Sequence, residues 1–147
     1  KNIKVTGTIL LISQLMVGAD EFPDYEKVIP DIKKSKISKI NTESFRSSLK
    51  RISLFTSERN NKVKLTFKKG ALVISTTGDI GEAQEKIGID YGEEEIDISF
   101  PPTFLIDFLE TIGKEEFILA FTSSSKPVLM KPEEDGFLYV CMPLKAD

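Results

Sequence analysis

The sequence contains no histidine. With it go the side chain most often used as a general base near neutral pH and the commonest metal ligand. Cysteine is nearly absent too: the single Cys141 cannot form a disulfide within the chain, which suits a reducing cytoplasm. Cys141 sits in an apolar run with no partner base, the setting of a structural thiol rather than a nucleophile. There is no glycine-rich phosphate loop and no signal peptide. The apolar run Ile9 to Ile12 is too short to cross a bilayer and gives way to Ser13-Gln14. Excess charge is also missing. Lys and Arg number 20 against 23 Asp and Glu, so the net charge of -3 draws the chain to no nucleic acid in bulk, and any such contact must be local. Together these absences make an enzyme the weaker class and favour a soluble intracellular protein.

What is present is enough apolar material for a core: 40% of the 147 residues are hydrophobic and ten are Phe. The length allows one domain, or one domain and part of another. The run Glu21 to Pro30, EFPDYEKVIP, marks a change of texture. Pro23 and Pro30 hold the residues before them extended and remove two backbone donors, while Val28-Ile29 is too apolar for a solvent-washed linker. It reads as a stiff crossing that also walls a binding groove. Before it, Ile3 and Val5, then Thr8 to Leu15, have the texture of two strands joined at Gly7. A lone hairpin is marginal in water, so residues 1–20 read as the end of a domain whose body lies elsewhere. Alternatively, these strands complete a sheet of the domain that follows.

Beyond the crossing, Lys33 to Lys39 carries four lysines, and Ile37 and Ile40 among polar neighbours predict an edge strand. Asn41 or Thr42 caps a helix with Glu43 in its first turn. Phe45, Ser48, Leu49, Ile52 and Phe55 share its buried face; Arg46, Ser47, Lys50, Arg51 and the apolar Leu54 lie opposite. Strands are expected at Lys62 to Lys68 and Ala71 to Thr76, turning at Lys69-Gly70, and at Ala83 to Tyr91 and Glu94 to Phe100, turning at Gly92. Pro101-Pro102 opens a second helix with the apolar face Phe104, Leu105, Phe108, Leu109 and Ile112, ended by Gly113. Strands follow at Glu116 to Thr122, Pro127 to Met130 and Phe137 to Met142. The order strand, helix, strand, hairpin thus occurs over 36–76 and again over 94–142. It predicts an α+β domain with two helices packed against antiparallel sheets.

Chemical signals are weak. Glu93, Glu94, Glu95 and Asp97 have the charge for a divalent cation, but alternate strand residues point to opposite faces, and a solvated strand end accounts for them better. Arg46, Lys50 and Arg51 suit phosphate contact and equally suit a wet surface. Leu54, beside Phe55 at a helix end, suits a subunit contact or a single exposed leucine. The last run, Tyr139 to Lys145, is apolar where chain ends are usually polar. Met142 and Leu144, past the strand end, suit an adaptable docking pocket if they are not core.

FPDYEKVIP at 22–30, RISLFTSERNNKVKL at 51–65, GEAQEKIGIDY at 81–91 and YVCMPLK at 139–145 together resemble the bacterial sliding clamps, the beta subunits of the replicative DNA polymerase. The resemblance covers essentially the whole chain and implies the DNA-clamp fold. Residues 1–30 would be the end of a middle clamp domain with its crossing, and 31–147 the C-terminal domain. It implies a non-catalytic processivity factor without cofactor or metal. In the family, subunits join as a homodimeric ring around duplex DNA, without sequence preference. The replicative polymerase subunit, the clamp loader and other clamp-binding peptides dock in a groove between the second and third domains.

Carried over, that groove comprises Pro23, Lys27, Val28, Asn60, Pro101, Phe104, Ser125, Pro127, Val140, Cys141, Met142, Pro143, Leu144 and Lys145, with the crossing facing Met142 and Pro143. DNA-facing positions would be Arg46, Lys50 and Arg51. The subunit interface would use Leu54 and Phe55, supported by Glu82 and Glu85, against the family's first domain. Two departures stand out: Pro101 replaces a frequent polar residue, and Ala146-Asp147 follows Lys145 where a leucine is usual. Two rival expectations are a structural clamp fragment or split-gene product without binding activity, and a metal-dependent hydrolase using Asp90, Glu93 and Asp97.

Overall fold

The computed structural model describes residues 3–6, 34–113, 115–132 and 138–145. Among them are nine strands and two helices, in the order β1 (Ile3–Thr6), β2 (Lys36–Asn41), α1 (Thr42–Ser53), β3 (Val63–Lys68), β4 (Ala71–Gly78), β5 (Gly81–Gly88), β6 (Ile96–Phe100), α2 (Pro102–Ile112), β7 (Glu116–Phe121), β8 (Val128–Pro132) and β9 (Leu138–Cys141). The fold is α+β, as the element order predicts.

Local chemistry sets the helix ends. Asn41 is extended, and its Oδ1 accepts the Ser44 N–H at 2.9 Å, satisfying one of the donors that a helix start leaves free. Pro101 precedes α2, whose first residue is Pro102, and Gly113 closes it in the left-handed region at φ 58°. The buried faces are those the periodicity predicts: Phe45, Ser48, Leu49 and Ile52 on α1, and Leu105, Phe108, Leu109 and Ile112 on α2. Phe104 and Phe55 are only half-buried.

Two units of one element order, β2-α1-β3-β4-β5 and β6-α2-β7-β8-β9, exchange their first strands. β2 pairs antiparallel with β7 of the second unit, and β6 pairs antiparallel with β3 of the first. The sheets run β1-β9-β8-β7-β2 and β5-β4-β3-β6. Two single bridges continue the exchange: Lys39 of β2 pairs with Asp90 just past β5, and Ser99 of β6 pairs with Leu144 just past β9. Neither unit can leave the other without breaking ladder bonds in both sheets.

One core fills the space so enclosed. Phe117 on β7 meets Phe45 of α1 at 5.7 Å and Phe108 of α2 at 5.1 Å between ring centroids. Phe67 of β3 meets Phe121 of β7 at 4.8 Å, joining the two sheets. All five rings are fully buried. Such pairs contribute about 0.5–1.5 kcal/mol each beyond the area they bury.

One expectation changes. Gly92 does not turn a hairpin between the third and fourth expected strands: β5 and β6 occupy opposite edges of their sheet, and residues 89–95 cross from one edge to the other. β6 takes β3 as its partner because Ile98 and Phe100 can then enter the shared core. At the other end of the chain, β1 runs parallel to β9, with Val5 opposite Val140. Its expected hairpin partner, Thr8 to Leu15, lies outside the described residues, as does the crossing Glu21 to Pro30.

The β4–β5 turn rests on the end of α1 through a contact that only glycine permits. A Cβ on Gly78 would lie 1.8 Å from the carbonyl oxygen of Phe55. Gly78→Ala is therefore expected to lower unfolding stability by about 2–3 kcal/mol, as overpacking does. Gly92→Ala, with nothing within 4 Å, should change it by less than about 0.5 kcal/mol. Urea denaturation midpoints of the two variants measure the difference.

Candidate functional site

The end of the chain is held by main-chain bonding rather than by side-chain packing alone. After β9, Pro143 stops the strand, and the Leu144 N–H then donates to the Ser99 carbonyl at 2.7 Å. This sets Leu144 against the outer side of β6 and beside the loop that follows α1. A cavity of about 330 Å³ opens there, bounded by Asn60, Leu144, Ser124, Ser99, Lys62 just before β3 and Lys64 on it.

Of the residues expected to form the groove, Asn60 and Leu144 meet at this cavity. Met142 and Pro143 are half-buried and Lys145 is exposed. Pro101 and Phe104 follow directly on β6, and the Phe104 N–H donates to the Pro101 carbonyl at 3.2 Å. Pro127 is half-buried. Ser125 lies in the loop before β8, but its neighbour Ser124 lines the cavity, while the Ser125 N–H turns back to the Ser123 hydroxyl. Val140 and Cys141 lie in β9. Both are wholly buried, because alternate residues of a strand covered on both sides have no wet face. Pro23, Lys27 and Val28 lie outside the described residues.

The basic residues of α1 are less free than the helical pattern predicts. Arg46 donates to Glu43 Oε2 at 2.9 Å and to the carbonyl of Leu109, near the end of α2. There it meets the negative end of that helix. Arg51 grips Glu85 of β5 with two parallel bonds, Nε to Oε1 and Nη2 to Oε2 at 2.9 Å. The paired guanidinium, aided by the Ser48 hydroxyl, holds the Glu85 carboxyl below the ordinary glutamate range. Lys50 is exposed.

Leu54 is 75% exposed at the α1 C-cap, and Ile80, at the β4–β5 turn, is 76% exposed. The Gly78–Phe55 contact brings the helix end and the turn together, so the two most exposed large apolar side chains among the described residues lie near one another. β5 adjoins them and is an edge strand, with one side unpaired among the described residues. Glu82 and Glu85, three apart on β5, point to opposite faces, so only Glu85 turns toward α1. Sequence reasoning missed Ile80, although an apolar residue at the tip of a glycine-bounded turn was a visible signal.

Two members of the acidic run are engaged within the fold. Asp97 accepts the Thr66 hydroxyl at 2.6 Å, and Glu95 lies 3.8 Å from Lys68. Among the described residues no three His, Cys, Asp or Glu side chains converge to hold a metal ion.

The profile of the family described as DNA polymerase III beta subunit, C-terminal domain, matches residues 26–145. The chain belongs to that family. A beta sliding clamp of Rickettsia bellii is 37% identical over 148 residues, covering 93% of this chain and 38% of the relative. One of Bacillus subtilis is 32% identical over 142 residues, covering 93% and 37%. Among solved structures, a DNA polymerase III beta subunit of Thermotoga maritima superposes with a TM-score of 0.80 at 30% identity, over 86% of this chain and 35% of that one. A Bartonella birtlesii sliding clamp bound to griselimycin gives a TM-score of 0.79 at 28% identity, over 85% and 34%. The chain thus spans little more than a third of the length of these family members, whose clamp fold it shares.

The Arg51–Glu85 pair makes a pH prediction. The folded-state pKa of Glu85 lies below its ordinary value, so its contribution to stability is fully present above the ordinary glutamate range and is lost as pH falls through the folded value. The stability difference between the native chain and Arg51→Met should therefore be seen near neutrality and shrink on acidification. Denaturation midpoints across that range measure it. A difference independent of pH would remove the pair as its cause.

Proposed function

We propose that the chain is the C-terminal domain of a DNA replication processivity factor, with residues 1–30 belonging to the end of the preceding domain and its crossing. In this reading the full ring encircles duplex DNA in the cytoplasm and tethers the replicative polymerase and other partners by their peptides. This chain itself catalyses nothing. The observation that carries the proposal is the convergence of Asn60 and Leu144 at one cavity, with Met142 and Pro143 half-buried just before it. Family membership supports it.

The physics of each surface fits this use. Met142 is flexible and polarisable, suited to an apolar peptide end of variable shape. Burial of such an end, with a few polar guides, is a common mode of peptide recognition. On α1, Arg46 and Arg51 engage partners within the chain and Lys50 stays exposed, which leaves modest positive charge toward phosphate. Sliding needs weak contact without base reading, since tight readout would stop the ring. The exposed pair Leu54 and Ile80 beside the open edge of β5 suits a second subunit, which would bury the apolar side chains and extend the sheet.

A fluorescent peptide carrying an apolar pair, titrated against this chain, tests the groove. Binding is expected to weaken about tenfold in Met142→Ala, the scale of a truncated apolar anchor. Equal binding by both proteins would overturn the assignment. No binding by either, with a normally folded spectrum, would favour a structural fragment without independent activity.

A further inference from the structure

The outer face of the β3–β6 ladder has a regular charge pattern that breaks at one place. Lys68 of β3 has Glu95 at 3.8 Å. Two residues back, Thr66 stands opposite Asp97 and donates its hydroxyl to that carboxylate at 2.6 Å. Two residues further back, Lys64 stands opposite Ser99 on β6 and opposite Ser75 on β4. Where the ladder supplies a carboxylate to each earlier position, it supplies only hydroxyls here. Lys64 is exposed and makes no ion pair among the described residues.

This is also where the 330 Å³ cavity opens. Lys64, Ser75, Thr77 and Ser99 line it, and Lys62, just before β3, brings a second positive charge to the lining. Asp97 brings one carboxylate to the cavity, oriented by the Thr66 hydroxyl, beside the two lysines. Leu144, fixed by its bond to Ser99, forms the apolar rim. The cavity is therefore a hydroxyl-rich annex lying next to the tail, carrying two lysines and one carboxylate, with no carboxylate directly opposite Lys64 in the ladder.

We propose that this annex receives the carboxylate of an acidic side chain flanking the apolar pair of a partner peptide. The proposal rests on the peptide-groove reading and adds a selectivity to it. A lysine ammonium is a compact point charge, and a carboxylate placed between Lys64 and the serine hydroxyls gains charge-assisted hydrogen bonds that an amide of the same shape does not. The surroundings are partly solvated, so the preference is modest and screened by salt.

Two labelled peptides test this on the whole chain: one with its apolar pair flanked by Asp, the other by Asn, each followed by fluorescence anisotropy at low and at high salt. The Asp peptide is expected to bind about threefold more tightly at low salt, the scale of a partly exposed ion pair. That preference should vanish at high salt and in Lys64→Gln. Equal binding of the two peptides by the native chain would overturn the annex while leaving the groove standing. A preference that survives in Lys64→Gln would overturn the role given to Lys64. Failure of both peptides to bind would remove the groove and the annex together.

Discussion

The exchange of β2 and β6 between two similar units is the constraint on which the rest of the structure depends. Each unit alone would leave a sheet edge of unpaired N–H and C=O groups and one side of its aromatic core open to water. Exchanged, the ladders β2–β7 and β3–β6 tie the units together, and the rings of Phe67 and Phe121 close the core between the sheets. The same exchange positions the candidate site. Because β6 leaves its own unit for β3, its free side faces the end of β9, and Leu144 completes it with a single bridge. The bridge between Lys39 and Asp90 does the corresponding task at the other seam.

Electrostatics then divides the surface. On the helical side the arginines serve internal ends, one at the C-terminal carbonyls of α2 and the other on Glu85 of β5. The second of these pairs links α1 to the strand that borders the exposed Leu54 and Ile80. On the outer face of the β3–β6 ladder, Lys68 and Thr66 each meet a carboxylate of β6 or the residue before it, while Lys64 stands opposite Ser99. In the proposed reading these two sides face DNA and partner peptide respectively. Neither presents the dense, fixed charge that would hold a phosphate backbone tightly.

Much of this was legible in the sequence, and what was not has physical reasons. Period-two alternation marked the strands, and the 100° rotation marked both buried helix faces. The outward Leu54 stood out because an amphipathic pattern has no place for it. Strand pairing was not legible. Ile96, Ile98 and Phe100 satisfy an alternation rule beside either β5 or β3, and only the shared core selects β3. The Arg51–Glu85 pair is equally invisible, because 34 residues separate its members and α1 and β5 become neighbours only through the fold. For the candidate groove, resemblance pointed to Met142, Pro143 and Leu144 but also to Val140 and Cys141, and burial separates the two groups. Lys64 was passed over because a lysine in a strand normally signals nothing more than a wet face. Its missing partner appears only once the register with Ser75 and Ser99 is known.

The central claim is that strand exchange pins the chain end to β6 and so builds the candidate site. Amide hydrogen exchange at Leu144 tests it most directly. If the Leu144 N–H is bonded to Ser99 as described, it should be protected together with the β3–β6 amides, while Lys145 exchanges freely. Exchange of Leu144 as fast as that of an unstructured end would detach the tail from the sheet and contradict the account.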